Sequence, residues 1–336
     1  MTDHQKRTIY VILGFAISIV LLFFLFRKID FKELVAALIG ANYWWLLPNI
    51  FFVCFGMYQR AYRWQFMLDP IKRVTYSRLL AATCIGFMAN NVLPLRLGEF
   101  VRGYSLSSQD RGITKSAALA TIFVERMVFD LVALLLIFGV VLFTSHLALE
   151  ETMREGVLIA VLIALVGIIL MLLLALRPTE SGSLVSKSLF FLPEGIREKI
   201  ASIVSKSSRG LEFIRDPRKL AAVSLHTIVL WIFMGLSNYF VFKAFGFDLP
   251  IAASFVLLVV VSISILIPSS PGFLGVYHAA TVWTLETYHI GSTEALSFAL
   301  VLHAAQYIPI TLMGFYFLKK EHLSLKKLEA EASTAD

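Results

Sequence analysis

Apolar runs separated by short polar breaks set the pattern of this chain. The run from Ile9 to Phe26, closed by Arg27 and Lys28, has the roughly twenty residues a helix needs to cross a hydrocarbon layer of about 30 Å. Similar runs follow from Tyr43 to about Arg60, Ser116 to Phe143, Val157 to Leu176, Leu220 to Phe242 and Ala295 to Leu318. Two further apolar stretches, Leu79–Leu93 and Ile251–Ile267, are too short for a span. Each leads into a polar tip holding Pro and Gly: NNVLPLRLGEFVRGY at Asn90–Tyr104 and PSSPGFLGVYHAA at Pro268–Ala280. A helix broken at membrane depth leaves backbone groups that only protein or a wet cavity can satisfy. The pattern therefore predicts an all-α polytopic membrane protein with about six full spans. Two re-entrant helical hairpins, residues 79–112 and 251–286, complete it. Two amphipathic helices are also expected. In FKELVAALIGAN, the apolar positions Phe31, Leu34, Val35, Leu38 and Ile39 follow a cap at Asp30. The second lies in the connector, on Ile196, Ile200, Ile203 and Val204. Both are placed along the membrane surface.

The two tips repeat each other. Pro94 and Gly98 map onto Pro271 and Gly275 at a spacing of 177 residues, and the same spacing carries Tyr43 onto Leu220 and Arg126 onto His303. This divides a single membrane domain, 1–336, into a first repeat at 43–143, a cytoplasmic connector at 177–219 and a second, inverted repeat at 220–318. Transport sites in such architectures sit between broken helices near the bilayer midplane.

Composition excludes the alternatives to a membrane protein. Of 336 residues 58% are hydrophobic and 16% charged, with mean hydropathy +0.78; a soluble domain of this length does not look like that. The net charge of +7 sits in a few loops, so it reports topology and not nucleic-acid binding. The basic N-terminus, 60–78 loop, 96–115 segment, connector and C-terminus belong in the cytoplasm. The acidic loops at 150–155 and Glu286–Glu294 belong outside. Arg27, Lys28 and Lys32 fit this scheme badly. Cys54 and Cys84 lie in apolar segments and define no redox compartment. The first run is too long for a signal peptide and lacks a cleavage site, so it is read as a retained span. With no phosphate-binding loop, zinc signature, nucleophile elbow or spaced Cys/His set, the expectation is a non-enzyme without cofactor or metal.

Polar side chains in the apolar runs are the candidate substrate-binding residues, because charge at membrane depth is costly. Asn90, Asn91, Pro94, Arg96, Gly98, Glu99 and Arg102 make up the first tip. Arg96, Glu99 and Arg102 are spaced to share one helical stripe, where an arginine pair beside free amides suits a phosphate. The plainer reading places those arginines among lipid headgroups. Arg126 and Asp130 can pair at i, i+4, as a structural clamp or a site. Glu125, roughly 100° away on an α-helix, needs another partner. Pro271, Gly272 and Gly275 form the second tip. His303 and Gln306 face the cavity if the repeat holds, although a lone membrane histidine is more often simply hydrogen-bonded. His278 is a weaker candidate still, and His226 reads as core.

With NNVLPLRLGEFVRGYSL, VERMVFD and PSSPGFLGVYHAA in that order, the chain resembles the flippase-like membrane-domain family, best known as the transmembrane part of bifunctional lysylphosphatidylglycerol synthases. The resemblance spans essentially the whole chain. It implies a bacterial or archaeal inner-membrane protein that moves a lipid between leaflets, with the motif positions falling on Asn91, Pro94, Arg96, Gly98, Glu99, Arg102, Glu125, Arg126, Asp130, Pro271, Gly272 and Gly275. About 18 residues follow the last run, without an aminoacyl-transferase domain, so synthesis of the lysyl-lipid is not expected. The first functional expectation is translocation of an anionic lipid headgroup. The rivals are a non-transporting partner or lipid-binding subunit of a lipid-modifying enzyme, and an ion-coupled carrier of a small soluble anion. Membrane lipids are the expected partners, nucleic acid is not, and the oligomeric state stays open.

Overall fold

A computed structural model describes residues 3–27, 29–110, 112–144 and 208–333, with the single positions 162, 165, 194 and 195. The expected span at 157–176, the 150–155 loop and the amphipathic helix on Ile196–Val204 lie outside the described residues, those single positions apart. Among the described residues the protein is all-helical. Helix α1 covers Asp3–Phe26, α2 Phe31–Gly40, α3 Leu46–Leu68, α4 Tyr76–Val92 and α5 Gly98–Gln109. After these come α6, Lys115–Val124, and α7, Leu131–Thr144, joined without interruption by a π-helical segment at Glu125–Asp130. The remaining described helices are α8 (Pro217–Ala244), α9 (Ile251–Ser264), α10 (Val276–Glu286), α11 (Ser292–Lys320) and α12 (Leu325–Ser333).

Within the described residues, Thr8–Phe26, Pro217–Ala244 and Ser292–Lys320 are each long and apolar enough to cross a membrane. A fourth crossing arises if α2 and the Tyr43–Leu68 helix, bent by 69°, form one broken span. Only 11% of the α1 span is buried in protein, which leaves most of its apolar circumference for lipid.

Local sequence explains the bend. The Asp30 carboxylate accepts the Lys32 and Glu33 amides at 2.7 and 3.3 Å, the expected cap of α2. Gly40 ends that helix. Asn42 then starts the next: its Oδ1 accepts the Trp44 amide at 3.2 Å, and its own amide donates to the Ala244 carbonyl at 2.7 Å.

The chain forms two compact units. One comprises Met1–Tyr58, Thr83–Arg102 and Leu230–Asp336, the other Gln59–Ala82 and Gly103–Val229. The first unit is centred on an apolar core in which Phe242, Phe247 and Phe298 pack with ring centroids 5.2–6.4 Å apart, joined by Leu34 of α2. Helix α2 therefore turns one apolar face inward, while Phe31, Val35 and Ile39 stay exposed on the other.

The first unit also holds both helix breaks. Helix α4 ends at Val92, a single 3₁₀ turn occupies Pro94–Arg96, and α5 starts at Gly98. Helix α9 ends at Ser264, a turn occupies Pro271–Phe273, and α10 starts at Val276. The two breaks share left-handed backbone at two positions related by the spacing of 177. Leu95 and Gly272 have φ of 63° and 71°, and Arg96 and Phe273 have φ of 54° and 59°. Left-handed backbone costs a bulky residue roughly 1–3 kcal/mol and persists only where neighbours over-determine it. Leu95, Arg96 and Phe273 are such residues.

The second unit is built on charge. Trp64 Nε1 donates to Thr121 Oγ1 at 2.8 Å, and Arg63, completely buried beside it, faces Glu125 and Asp130. Helix α3 continues past the expected end of its apolar run to Leu68, and it turns Arg60, Arg63 and Trp64 into protein.

Candidate functional site

The first tip is held by the asparagines that precede it. Asn90 Oδ1 accepts the Gly98 amide at 2.8 Å, capping α5, while its Nδ2 donates to the Glu99 carboxylate at 3.2–3.3 Å. The amide expected to be open to an anion is thus occupied. Asn91 Nδ2 donates to Thr311 Oγ1 at 2.8 Å and to the Tyr307 carbonyl at 3.4 Å, tying the tip to α11.

Arg96 does not share a stripe with Glu99 and Arg102. It lies in the break, with left-handed backbone, two residues before the helix begins. Its guanidinium reaches the second tip, where Nη1 donates to the Ile265 carbonyl at 3.1 Å and Cζ sits 5.5 Å from the centroid of the Phe273 ring. Ile265 caps the carbonyl end of α9, where cations are favoured by the helix dipole. Phe273 is the residue that the spacing of 177 pairs with Arg96. Arg102 is 1% exposed, with its backbone and Cβ close against Gly86, which places it in protein rather than among headgroups.

The second tip gathers a different set. Ser18 of α1 accepts the Ser270 amide at 2.9 Å. Gly272, at φ 71°, leaves no room for a side chain against Tyr307. Gln306 accepts from Tyr277 at 3.1 Å and donates to Asn238 at 3.0 Å, while His303 packs against Tyr277 and His278. Pro94, Arg96, Pro271, Gly272, His303 and Gln306 thus all belong to one unit.

Glu125, Arg126 and Asp130 belong to the second unit. Arg126 Nη1 pairs with Asp130 at 3.1 Å, as the i, i+4 spacing allows. Arg63 bridges the two acids: Nη2 lies 2.9 Å from Glu125, and Nη1 lies 2.7 Å from Asp130 and 2.9 Å from Thr227 Oγ1. Arg60 is 3.7 Å from Asp130. Glu125 has the separate partner it was expected to need, Arg63, and the π-helical turn lets Arg63 reach Asp130 as well. Its i, i+5 closure brings Glu125 and Asp130 to one face, whereas α-helical geometry would leave them about 140° apart. The sequence missed Arg60 and Arg63 as partners. The available signal was their i, i+3 spacing inside a helix that runs on to Leu68.

A third polar cluster lies at a loop of the second unit. Lys72 Nζ donates to Asp110 Oδ1 at 2.5 Å, Arg78 to Oδ2 at 3.2 Å and the Gly112 amide to Oδ1 at 3.0 Å. The hydrogen bond from Lys72, above all, holds the Asp110 carboxyl below the ordinary aspartate range, against the effect of burial. A depressed carboxyl contributes stability that is present above its unfolded pKa of about 3.9 and lost as pH falls through the folded value. Thermal unfolding should therefore lose a step of stability on acidification below about pH 4, and Asp110→Asn should remove that step. An unchanged acid limb in Asp110→Asn would assign it to other groups.

The class of protein is thus defined by several apolar helices of spanning length and by polar side chains placed where helices break. The chain belongs to the family described as the lysylphosphatidylglycerol synthase TM region, whose model matches residues 11–314. It is also similar to the UPF0104 membrane protein MJ1078 of Methanocaldococcus jannaschii, with 26% identity over 251 residues, covering 71% of this chain and 98% of that protein. No solved structure matches it. Membership makes this a membrane protein with a role connected to membrane lipids.

Proposed function

We propose that this protein translocates an anionic lipid, either a phospholipid or a polyprenyl-phosphate-linked headgroup, between the leaflets of the cell inner membrane. In this reading it works as a carrier and not as an enzyme, with both termini in the cytoplasm. The observation that carries the proposal is the contact of the two helix breaks through Arg96, bonded to the Ile265 carbonyl at 3.1 Å. Broken helices meeting in an apolar bundle are where transporters hold polar substrates. The guanidinium now engages a neutral carbonyl, and a phosphate is a stronger acceptor that arginine can grip with two parallel bonds. A headgroup arriving at the first tip would draw Arg96 off Ile265 and release one tip from the other. Asn90, Asn91 and Glu99 would keep α5 registered on α4 as this happens. Lipid tails would stay in the bilayer, as the exposed apolar face of α1 would allow.

The test is movement of fluorescent phosphatidylglycerol in proteoliposomes. Arg96→Ala should slow it about tenfold or more, the loss of one charge-assisted bond, while the protein keeps its folded, monodisperse state. Movement at the native rate would remove the site assignment. No movement by the native protein, with lipid still bound, would favour a lipid-binding partner of another enzyme.

A further inference from the structure

We propose that His278 and His303 together form a binding site for a single proton beside the second tip. The two rings come from different helices, α10 and α11, with centroids 4.9 Å apart and planes at 87°. His278 is 2% exposed, and its Nδ1 is buried without a hydrogen-bond partner. Ser270 Oγ, in the second tip, is likewise buried without a partner. Buried polar atoms are nearly always satisfied, so two orphans in this one region mark capacity that the resting packing does not use. His303 is the link to the tip, because its ring packs on Tyr307, whose side chain lies against Gly272, the residue whose φ of 71° sets the break.

The surroundings decide how many protons the pair takes. Tyr277 on α10 and Tyr307 on α11 face His303, with ring centroids at 4.6 and 5.5 Å. Arg96 of the first tip lies over Phe273, on the second tip. Helix α9 carries no charged residue, and α1 carries none between Thr8 and Phe26. The charged residues of α10 and α11 sit at their ends: Glu286, Glu294, Lys319 and Lys320. Along these four helices no carboxylate faces the pair; of the other helices in this unit, α4 and α8 carry none, α2 carries Glu33, and α5 carries Glu99, which Asn90 engages. Two imidazolium ions this close repel with nothing between them to compensate, so the second proton is refused and the rings titrate as one coupled site. A proton on either ring puts a cation next to the Gly272 backbone, and the second tip must then rearrange or receive an anion. The site thus gives the break a charge state independent of the arginine at the first tip.

The experiment is a titration of histidine side-chain resonances, using 15N-histidine-labelled full-length protein in phosphatidylcholine nanodiscs free of anionic lipid. Two of the seven histidines are expected to respond together, with a common midpoint and one proton between them, over about pH 4 to pH 9. In His278→Gln and in His303→Gln the remaining ring should take up a full proton by itself, where each native ring is protonated only in part. Separate midpoints that neither replacement alters would overturn the proposal, and so would two rings that bind no proton in this range. The native titration needs no variant to fold. It contains no lipid substrate, so it stands or falls independently of whether the protein moves lipid.

Discussion

Arg63→Ala is expected to cost the folded protein about 3–5 kcal/mol, the loss that follows when one partner is removed from a buried ion pair. The Arg63 side chain is fully buried, 2.9 Å from Glu125, 2.7 Å from Asp130 and 2.9 Å from Thr227. Alanine would leave the Glu125 carboxylate, also fully buried, facing a cavity where a guanidinium had been. Lysine should recover only part of the loss, since an ammonium is one point charge and cannot address two carboxylates and a hydroxyl as a planar fork does. Replacing the charges together, as Arg63→Met with Glu125→Gln, should restore more stability than either alone, because the cost lies in the unbalanced charge and not in the missing contact. Thermal unfolding followed by tryptophan fluorescence reads the native protein and each of these variants, since Trp64 is bonded to Thr121 in the same unit. A melting curve for Arg63→Ala close to the native one would show that the cluster is poised for a ligand and contributes little to stability.

That cluster also marks the limit of what the sequence could convey. Side-chain patterning, with Pro and Gly, identified helices among the described residues, the two breaks and the Arg126–Asp130 pair, because each depends on residues near one another in the chain. Arg63 and Glu125 are 62 positions apart, and their meeting depends on a π-helical turn that no apolar pattern encodes. The first tip was misread for a related reason. Counting Arg96, Glu99 and Arg102 as one stripe assumes helical backbone from Pro94 onward, but Leu95 and Arg96 are left-handed, so Arg96 leaves the stripe and crosses to Ile265. Proline and glycine located both breaks correctly. What they could not supply was the direction in which the intervening side chains leave the turn, since that is set by partners on α9 and α11.

Gly98→Ala should be the most damaging small substitution in the first tip. A Cβ built at Gly98 collides with the Gly86 carbonyl oxygen and with the Asn90 side chain. The first obstacle is backbone on the facing arm of the same hairpin, which cannot swing aside as the end of a flexible side chain can. Relief requires α4 and α5 to separate, and separation stretches the Asn90 bonds to the Gly98 amide and to Glu99. We expect a loss of about 3 kcal/mol, the upper end of the overpacking range, together with loss of lipid movement in any protein that still folds. Gly40→Ala is the control, since nothing lies within 4 Å of its added Cβ, and it should leave both stability and transport as they were. The outcome separates two roles of the glycines repeated at the spacing of 177. Gly275 has φ of 84° and lies against Ser18 of α1, so it is needed for its backbone angle as well as for space. At Gly98 the glycine requirement is close approach of the two arms, and a native-like Gly98→Ala protein would show that the arms already have room to move apart.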